Sequence, residues 1–259
     1  MSGPVIPLVP KKDTLSAQVT RYVMELIARD KLEPGALVPS EVQICRDLNV
    51  SRGIVREAYR ALSTLGVLET EAGKVPRFRG MNSVVLQQVF GFALKTAHVT
   101  ALEILQLRRS IEVCAARLAA LKGSPAQFQR LRQCVCEMRS AGADHDRLIM
   151  ADVMLHTTLA EATGNPLFKL MIEGLRGPLE DSMAQGLRSR RTRDEVLRVP
   201  DLHDAIVSSI LARDGDAAAQ AMAHHFDLSV AAILTVGMAA APSEGAGQKK
   251  AARRALARN

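Results

Sequence analysis

The sequence contains very few aromatic residues. Only 3% of its 259 residues are Phe, Tyr or Trp and none is Trp, whereas 47% are hydrophobic. Alanine and leucine must therefore supply most of the buried surface, which favours packed helices over β-sheet. The sequence also lacks any run of 18 or more apolar residues, so it predicts no membrane-spanning helix. Its N-terminus, MSGPVIPLVPKKDTL, lacks the charge order of a signal peptide, and we therefore expect a cytoplasmic protein.

Cysteine is scarce too, with four residues in the chain. Cys45 and Cys114 fall on the apolar faces of predicted helices, and we expect both to be buried as small hydrophobic residues. Cys134 and Cys136 are two residues apart, so they point to different sides of a helix and make a poor metal-binding pair. The cysteines therefore indicate no site of their own.

The net charge of +7 is concentrated at the two ends of the chain. Residues 1–80 hold 12 Lys or Arg against 9 Asp or Glu, residues 81–248 hold 17 against 18, and the last eleven residues hold five basic groups and no acid. Basic ends around a near-neutral middle suit a polyanion such as DNA. We interpret residues 1–12 as a flexible N-terminus and 239–259 as a disordered basic tail.

Residues 13–80 begin with the pattern of two helices. Thr14 is a suitable N-cap for the first helix, whose apolar residues follow helical spacing. Ser40 starts the second helix, and Gln43 three residues later completes a capping-box pattern. That helix is predicted to stop at Asn49, which tolerates the left-handed conformation that a tight turn needs.

A third helix and a short hairpin follow. Ser51 is the predicted N-cap of the helix, and Gly66 is its C-terminal stop. Residues 67–70 and 75–79 then form the predicted strands around a turn at Ala72-Gly73-Lys74. Pro76 cannot donate a backbone hydrogen bond and should keep the second strand at an edge. Together these elements have the layout of a winged helix-turn-helix.

Three arginines, Arg52, Arg56 and Arg60, recur every four residues and share one face of the third helix, the arginine face. Such a charged face is often simply the solvent-exposed side of a helix and binds nothing. In a winged helix-turn-helix, however, this helix enters the major groove with its N-terminal end first, and the arginine fork matches guanine or two phosphate oxygens. The N-cap suits a phosphate, and the wing tip suits a minor groove. The candidate DNA-binding residues are Ser51, Arg52, Arg56, Arg60, Gly73 and Lys74.

The pattern from residue 83 to 238 is helical throughout and predicts an all-α antiparallel bundle. Breaks such as Asn165-Pro166, a natural helix start, separate the helices. The predicted helices span 84–97, 100–122, 125–141, 144–163, 166–188, 194–213 and 216–238.

A candidate metal site lies in this bundle. Asp152 and His156 are four residues apart, so they lie on one helix face. His203 and His225 are each eleven residues from Asp214, and an antiparallel hairpin with its turn there brings them level. An aspartate with three histidines suits a borderline divalent ion.

Two alternatives to this site stay open. Histidines are more often ordinary core or surface residues than ligands, and His224 competes with its neighbour, although it is rotated by about a quarter turn around the helix. If the site does hold a metal, a metal-dependent hydrolase is the competing function. No acid or base is evident beside the ligands, however, since Glu161 is more than a helical turn from His156.

The string LVPSEVQICRDLNVSRGIVREAYRALSTLGVLETEAGK resembles the DNA-binding domain of the GntR family of bacterial regulators, in particular at P-S-E, V-S-R and V-R-E-A. The resemblance implies that Arg52 and Arg56 contact DNA and that the turn at Gly73 is the wing tip. Val42 departs from the family pattern, because members often carry a DNA-contacting arginine directly after P-S-E. Gly53 replaces a frequent short hydroxyl residue. We therefore expect an unusual operator, or heavier reliance on Arg60 and the wing.

Residues 84–238 resemble the FCD effector domain of the FadR subfamily, in the strings ILQLRRSIEVCAARLAA, ADVMLHTTLAEATGNPLFKLM and LHDAIVSSILARDGDAAAQAMAHHF. The resemblance implies that zinc, nickel or manganese is bound by Asp152, His156, His203 and His225. It also implies that Arg108 points into the cavity and binds a small carboxylate or sugar-acid effector. A charge on a helix face is the alternative for Arg108.

The expected function is thus that of a homodimeric repressor and not of an enzyme. A two-fold dimer presents two recognition helices, so its operator should be an inverted repeat. Effector binding in residues 83–238, which should also dimerise, releases the DNA. Such a protein acts in the bacterial cytoplasm, at the nucleoid when bound to DNA, and needs no membrane.

Overall fold

The computed structural model describes residues 13–71, 73–142, 144–179 and 193–240, without the side chains of 193–198 and 232–240. The chain divides into two compact units, Met1–Val89 and Phe90–Asn259. The described residues are mainly helical with one small hairpin, which confirms the predicted fold class. In chain order the elements are α1 (Leu15–Arg29), α2 (Glu41–Leu48), α3 (Arg52–Thr64), β1 (Leu68–Glu69), β2 (Arg77–Phe78), α4 (Val84–Lys95), α5 (Ala101–Lys122), α6 (Pro125–Ala141), α7 (His145–Ala162), α8 (Pro166–Arg176), a 3-10 turn (Gly177–Leu179), α9 (Arg193–Leu211) and α10 (Gly215–Ala240).

The predicted flexible segments fall almost entirely outside the described residues. Residues 1–12 and 241–259 are not among them, so the expectations for the N-terminus and the basic tail stay predictions. Only Ala239 and Ala240 of the predicted tail are described, and both belong to α10. No described helix combines the length and hydropathy that a membrane span requires.

Local capping explains where the first two helices begin. Thr14 Oγ1 accepts a hydrogen bond from the backbone N–H of Ala17 at 3.1 Å, as predicted. Ser40 Oγ likewise accepts from the Gln43 N–H at 3.3 Å. The capping box is incomplete, however, because the Gln43 side chain donates to Asp47 Oδ1 at 2.7 Å and does not return to the N-cap.

Helices α2 and α3 each end at a residue with left-handed backbone conformation, as the sequence predicts. Asn49 has φ 51° and closes α2. Gly66 has φ 71° and closes α3, where the Val67 N–H donates to Leu62 O and the Gly66 N–H to Ser63 O. These two bonds form a Schellman motif and satisfy carbonyls that the helix end leaves free.

The core of the N-terminal unit joins α1, α2 and α3 to the hairpin. Its members are buried aliphatic residues spaced along one face of each helix, together with Tyr59, whose hydroxyl donates to the Pro39 carbonyl at 2.5 Å. The face of α3 toward the core consists of Val55, Ala58 and Leu62, all fully buried. Its opposite face is thereby left to solvent.

The hairpin pairs antiparallel, with Leu68 opposite Phe78 and Glu69 opposite Arg77. The prediction that Pro76 keeps the second strand at an edge is wrong, because Arg77 also bridges to Leu37 on the other side. Pro76 takes part in this pairing through its carbonyl, which accepts from the Val38 N–H at 2.9 Å, although it has no N–H to donate.

In the C-terminal unit α5 contacts α7, α8, α9 and α10, and α6 packs on α7 and α9. The buried face of α5 is lined by alanines that let neighbouring helices approach closely, namely Ala115, Ala116, Ala119 and Ala120. Leu155, Leu159, Ile206 and Ile210 supply the larger side chains of this core and are fully buried. The reversal between α9 and α10 is short, so these two helices run antiparallel.

Two expectations for this unit are wrong. The helix predicted over 166–188 leaves α geometry after Arg176 and continues as a 3-10 turn, because Pro178 has no N–H for an α-helical hydrogen bond, and residues 180–188 of this prediction lie outside the described residues. Cys114 is exposed and not buried, since the alanine face of α5 is turned to the core instead. Cys45 is partly buried, Cys134 is buried and Cys136 is exposed.

Replacing Gly66 by alanine should destabilise the N-terminal unit. A Cβ at this position would lie 2.6 Å from Asn82 Oδ1, and the positive φ would add strain of about 1–2 kcal/mol. Gly53→Ala is the matched control, because its Cβ meets nothing closer than 3.9 Å and helical alanine is favoured by up to about 1 kcal/mol. Urea unfolding of the full chain should show opposite shifts for the two variants. Equal midpoints would contradict the role of Gly66.

Candidate functional site

The arginine face of α3 is exposed. Arg52, Arg56 and Arg60 all lie on the side opposite the buried residues of this helix. Arg52 is the first residue of α3, so its side chain lies beside the free backbone N–H groups of the helix N-terminus. This surface can contact a polyanion along two turns of helix.

Ser51 occupies the N-cap position with extended backbone, but its side chain makes no capping hydrogen bond. Its hydroxyl is thus not committed to α3, and this suits an external acceptor or donor such as a phosphate. Gly73, at the predicted wing tip, is exposed with φ 77° and has no heavy atom within 4 Å of a built Cβ, so backbone approach is open there.

Two acidic partners of this surface were not foreseen. Arg56 Nε lies 3.5 Å from Glu41 Oε2 at the start of α2, and Lys74 forms an ion pair with Glu71. Both pairs are exposed and contribute little to stability. They orient the two basic groups, and a phosphate can replace the carboxylates. Val42, which departs from the family pattern, is 41% exposed beside Glu41.

A cluster of histidines lies inside the C-terminal unit. Four residues from three helices converge here, and we name Asp152, His156, His203 and His225 the histidine cluster. His203 Nε2 lies 2.9 Å from Asp152 Oδ1 and 3.4 Å from His156 Nε2, and His156 Nε2 lies 3.6 Å from the same Asp152 oxygen. The His225 ring lies 4.5 Å from that of His203, centroid to centroid. The structure therefore brings together all four residues that the sequence singled out.

The three imidazoles by themselves already have ligand spacing, since one ring nitrogen from each lies within 4.8 Å of the other two. Asp152 joins them through its contacts with His156 and His203. On α10, burial decides between the two adjacent histidines. His224 is exposed, whereas the Nδ1 atom of His225 is buried and has no hydrogen-bond partner among the described residues.

Hydrogen bonds from outside the cluster orient two of its imidazoles. His203 Nδ1 contacts the backbone carbonyl of Val199 at 2.8 Å, and His156 Nδ1 contacts Glu112 Oε2. Because each Nδ1 acts as the donor, each Nε2 atom faces the cluster and can bind a metal ion once it carries no proton. Glu112 was missed by the sequence reasoning, although it lies four residues after Arg108 in the string that was considered.

Arg108 is buried behind His156 and is bound to Glu112. Its Nη2 and Nε atoms lie 2.7 and 2.9 Å from Glu112 Oε1, and its guanidinium carbon is 5.4 Å from the centre of the Phe226 ring. The resemblance implied a residue that points into the cavity, and Arg108 does point inward. It reaches the histidine cluster through Glu112 and His156.

Arg176, the last residue of α8, was also missed. It is 4% exposed, and its Nη1 lies 2.9 Å from Asp152 Oδ2, in an ion pair whose angles do not make a hydrogen bond. An arginine in the last turn of a helix is ordinarily explained by the helix dipole, so the sequence carried no signal for this role.

Mutual contacts set the protonation of the cluster. Burial by itself raises the pKa of Glu112, but Arg108 and His156 outweigh it and lower the pKa to about 2. Burial likewise opposes ionisation of Asp152, whose pKa is nevertheless held well below its usual value by Arg176 and His156. Against the effect of burial, Glu112 and Asp152 raise the pKa of His156 to about 9. Burial and the other two histidines keep the pKa of His225 well below its usual value.

This donor set fits a divalent transition-metal ion. Three imidazoles and one ionised carboxylate are ligands that zinc, nickel and manganese accept, and the outer hydrogen bonds to His156 and His203 match those of established metal sites. The buried, unpartnered Nδ1 of His225 supports the same conclusion, because such atoms are rare in proteins without a ligand. Bound metal would replace the proton on His156.

A hydrolase site is not apparent around the cluster. Glu161 is bound to Lys169 Nζ at 2.6 Å and is no acid or base for the cluster. The buried carboxylates among the described residues are Glu112 and Asp152, and both are held in ion pairs with arginines. Neither is positioned as a free general base.

Comparison with known proteins identifies both units. Residues 15–75 match the family described as bacterial regulatory proteins, gntR family, and residues 103–228 match the FCD domain. The chain is similar to the HTH-type transcriptional regulator LutR of Bacillus subtilis (29% identical, covering 77% of this chain and 92% of LutR). It is also similar to the HTH-type transcriptional repressor NanR of Citrobacter rodentium (32% identical, covering 85% of each). A solved structure of Streptococcus agalactiae GntR shares the fold, with a TM-score of 0.65 and 24% identity over 83% of this chain and 99% of that one.

Metal-free protein should lose stability as the pH rises. The pKa of His156 is about 9 in the folded state against 6.5 ordinarily, so its contribution is present below pH 6.5 and is lost as the pH passes through about 9. The loss should be about 3 kcal/mol. Urea unfolding of chelator-treated protein across this window measures it. Glu112→Gln should reduce the loss, while the exposed Glu137→Gln should not. A flat profile for the unmodified chain would contradict the assignment.

Proposed function

The chain belongs to the GntR family of bacterial transcription regulators and carries an FCD domain, as in the FadR subfamily, and from this we propose that it is a dimeric repressor released from DNA by an anionic metabolite. Its family and relatives are regulators of transcription and not enzymes. The observation that carries the proposal is the buried histidine cluster, whose residues could hold a metal ion and which lies in the unit that does not bear the arginine face.

In this proposal the N-terminal unit reads double-stranded DNA. Arg52 and Arg56 contact bases or phosphates in the major groove, Arg60 contacts the backbone, and Ser51 binds a phosphate. Gly73 and Lys74 approach the neighbouring minor groove. Their exposure supports these roles. Val42 offers no donor, so we expect an operator that differs from those of relatives with arginine at that position.

The C-terminal unit is proposed to bind the effector and to form the dimer. Zinc, nickel or manganese would be held by Asp152, His156, His203 and His225, and as a Lewis acid it would attract oxygen ligands. Arg108, the effector-binding candidate of the sequence, would support this site by holding Glu112, which orients His156. A small carboxylate or sugar acid is the effector class that such a site favours.

Dimerisation supplies the proposed operator symmetry. Two copies related by a two-fold axis present two α3 helices, and these match an inverted repeat. Effector binding would then change the affinity for the operator, and by linkage operator binding would change the affinity for the effector. The proposal places the protein in the bacterial cytoplasm, at the nucleoid when it is bound to DNA.

Removing Arg52 should weaken operator binding much more than removing another arginine of the same unit. Arg52→Ala should reduce affinity for DNA from the promoter region of its own gene by about 10- to 100-fold, because a bidentate base contact is worth about 1–3 kcal/mol. Arg29→Ala removes the same charge from the exposed end of α1 and should change affinity far less. Fluorescence anisotropy at constant salt measures both. Equal losses of affinity for the two variants would show that Arg52 contributes only nonspecific positive charge to DNA binding.

Metal binding should depend on His225 and not on His224. His225→Ala should lower zinc affinity by at least about 10-fold, the smallest loss typical even for residues that only support a ligand. The control His224→Ala alters the adjacent exposed residue and should keep full affinity. Competition with a chelator, with metal content measured by mass spectrometry, distinguishes them. Equal affinity in both variants would remove His225 from the proposed ligand set.

A further inference from the structure

The guanidinium of Arg176 is buried in an ion pair with Asp152, but it makes no hydrogen bond to the described residues. None of its three nitrogens makes a hydrogen bond to the described residues, although the side chain is 4% exposed. Asp152 Oδ2, at 2.9 Å from Nη1, also makes no hydrogen bond. Burying such donors unsatisfied is costly, because each loses its hydrogen bonds to water. Arg176 therefore has the property expected of a residue that binds a ligand.

The charges around Arg176 indicate the sign of that ligand. Among the described residues, the buried guanidiniums and carboxylates are Arg108 with Glu112 and Arg176 with Asp152. The positive and negative charges therefore cancel within each pair. A divalent ion held by neutral histidines would leave two positive charges uncompensated. Uncompensated buried charge is strongly unfavourable. An anion beside the metal reduces this imbalance, and a dianion removes it.

The two buried arginines differ in the hydrogen bonds that their guanidinium groups make. Arg108 directs its Nε and Nη2 to Glu112, and through Glu112 it positions His156. Arg176 is aimed at Asp152, a member of the histidine cluster, with no hydrogen bond formed there. Of the two, Arg176 is the one placed to meet a group that arrives at the cluster.

We infer that Arg176 binds the carboxylate of the effector and so decides that the site accepts acids and rejects their neutral analogues. This rests on the proposed function. The planar fork of arginine pairs with a planar carboxylate through two parallel hydrogen bonds, a geometry that an amide or an alcohol does not reproduce. A carboxylate held by this fork beside the metal would place its negative charge between the two positive groups.

Calorimetry on the zinc-loaded full chain tests this inference. The probes are L-lactate, D-gluconate and citrate, each compared with its neutral amide. We expect the unmodified chain to bind at least one acid and not its amide. Arg176→Gln should then lose about 10- to 100-fold in affinity for that acid, the loss typical of a charge-assisted pair. Arg176→Lys keeps the charge without the fork and should lose less.

Arg130→Gln is the control, because Arg130 is an exposed arginine of the same unit. It should bind the acid as the unmodified chain does. Zinc content is measured in every variant. Acid binding by Arg176→Gln equal to that of the unmodified chain would overturn the inference, as would failure of the unmodified chain to bind any of the three acids. Joint loss of zinc and acid in both Arg176 variants would also overturn it, since Arg176 would then only hold Asp152.

A DNA-release assay separates this inference from the proposed function. If an acid binds through Arg176 but leaves operator affinity unchanged, the inference stands and the proposed function fails. If an acid releases DNA equally from the unmodified chain and from Arg176→Gln, the proposed function stands and the inference fails.

Discussion

Charge compensation in the interior of the C-terminal unit constrains everything else in that unit. Ionised groups are costly to bury unless each is paired, and here Arg108 is paired with Glu112 and Arg176 with Asp152. The arrangement keeps both carboxylates ionised against the effect of burial. Ionised carboxylates in turn orient and charge His156. Removing one member would leave its partner as an uncompensated buried charge.

This constraint ties five helices to one point. Helix α5 supplies Arg108 and Glu112, α7 supplies Asp152 and His156, and α8, α9 and α10 supply one residue each. The surrounding aliphatic core is close-packed and cannot deform continuously, so a ligand that draws these side chains together must shift whole helices. A site shared by five helices is thus well suited to convert binding into a change of helix packing, which the proposed function requires.

Local rules of the chain accounted for much of the N-terminal unit. The caps at Thr14 and Ser40, the left-handed residue at Asn49 and the stop at Gly66 all lie where the sequence indicates, because each depends on hydrogen bonds within a few residues. Pro76 was misjudged for the opposite reason. Whether its strand is flanked on both sides depends on residues 35–38, which are far away in the chain.

The candidate site shows the same difference between features set by local sequence and features set by long-range contacts. The sequence by itself determined that Asp152 and His156 share a helix face and that His203 and His225 stand level across a turn, because helical spacing and hairpin symmetry are local. Only the tertiary structure decided that His225 and not His224 faces the cluster, that Glu112 holds His156, and that Arg176 reaches Asp152. Those contacts depend on how the helices pack against one another. Residues far apart in the chain bury and pair these charges, and the spacing of residues along the sequence does not specify such pairing.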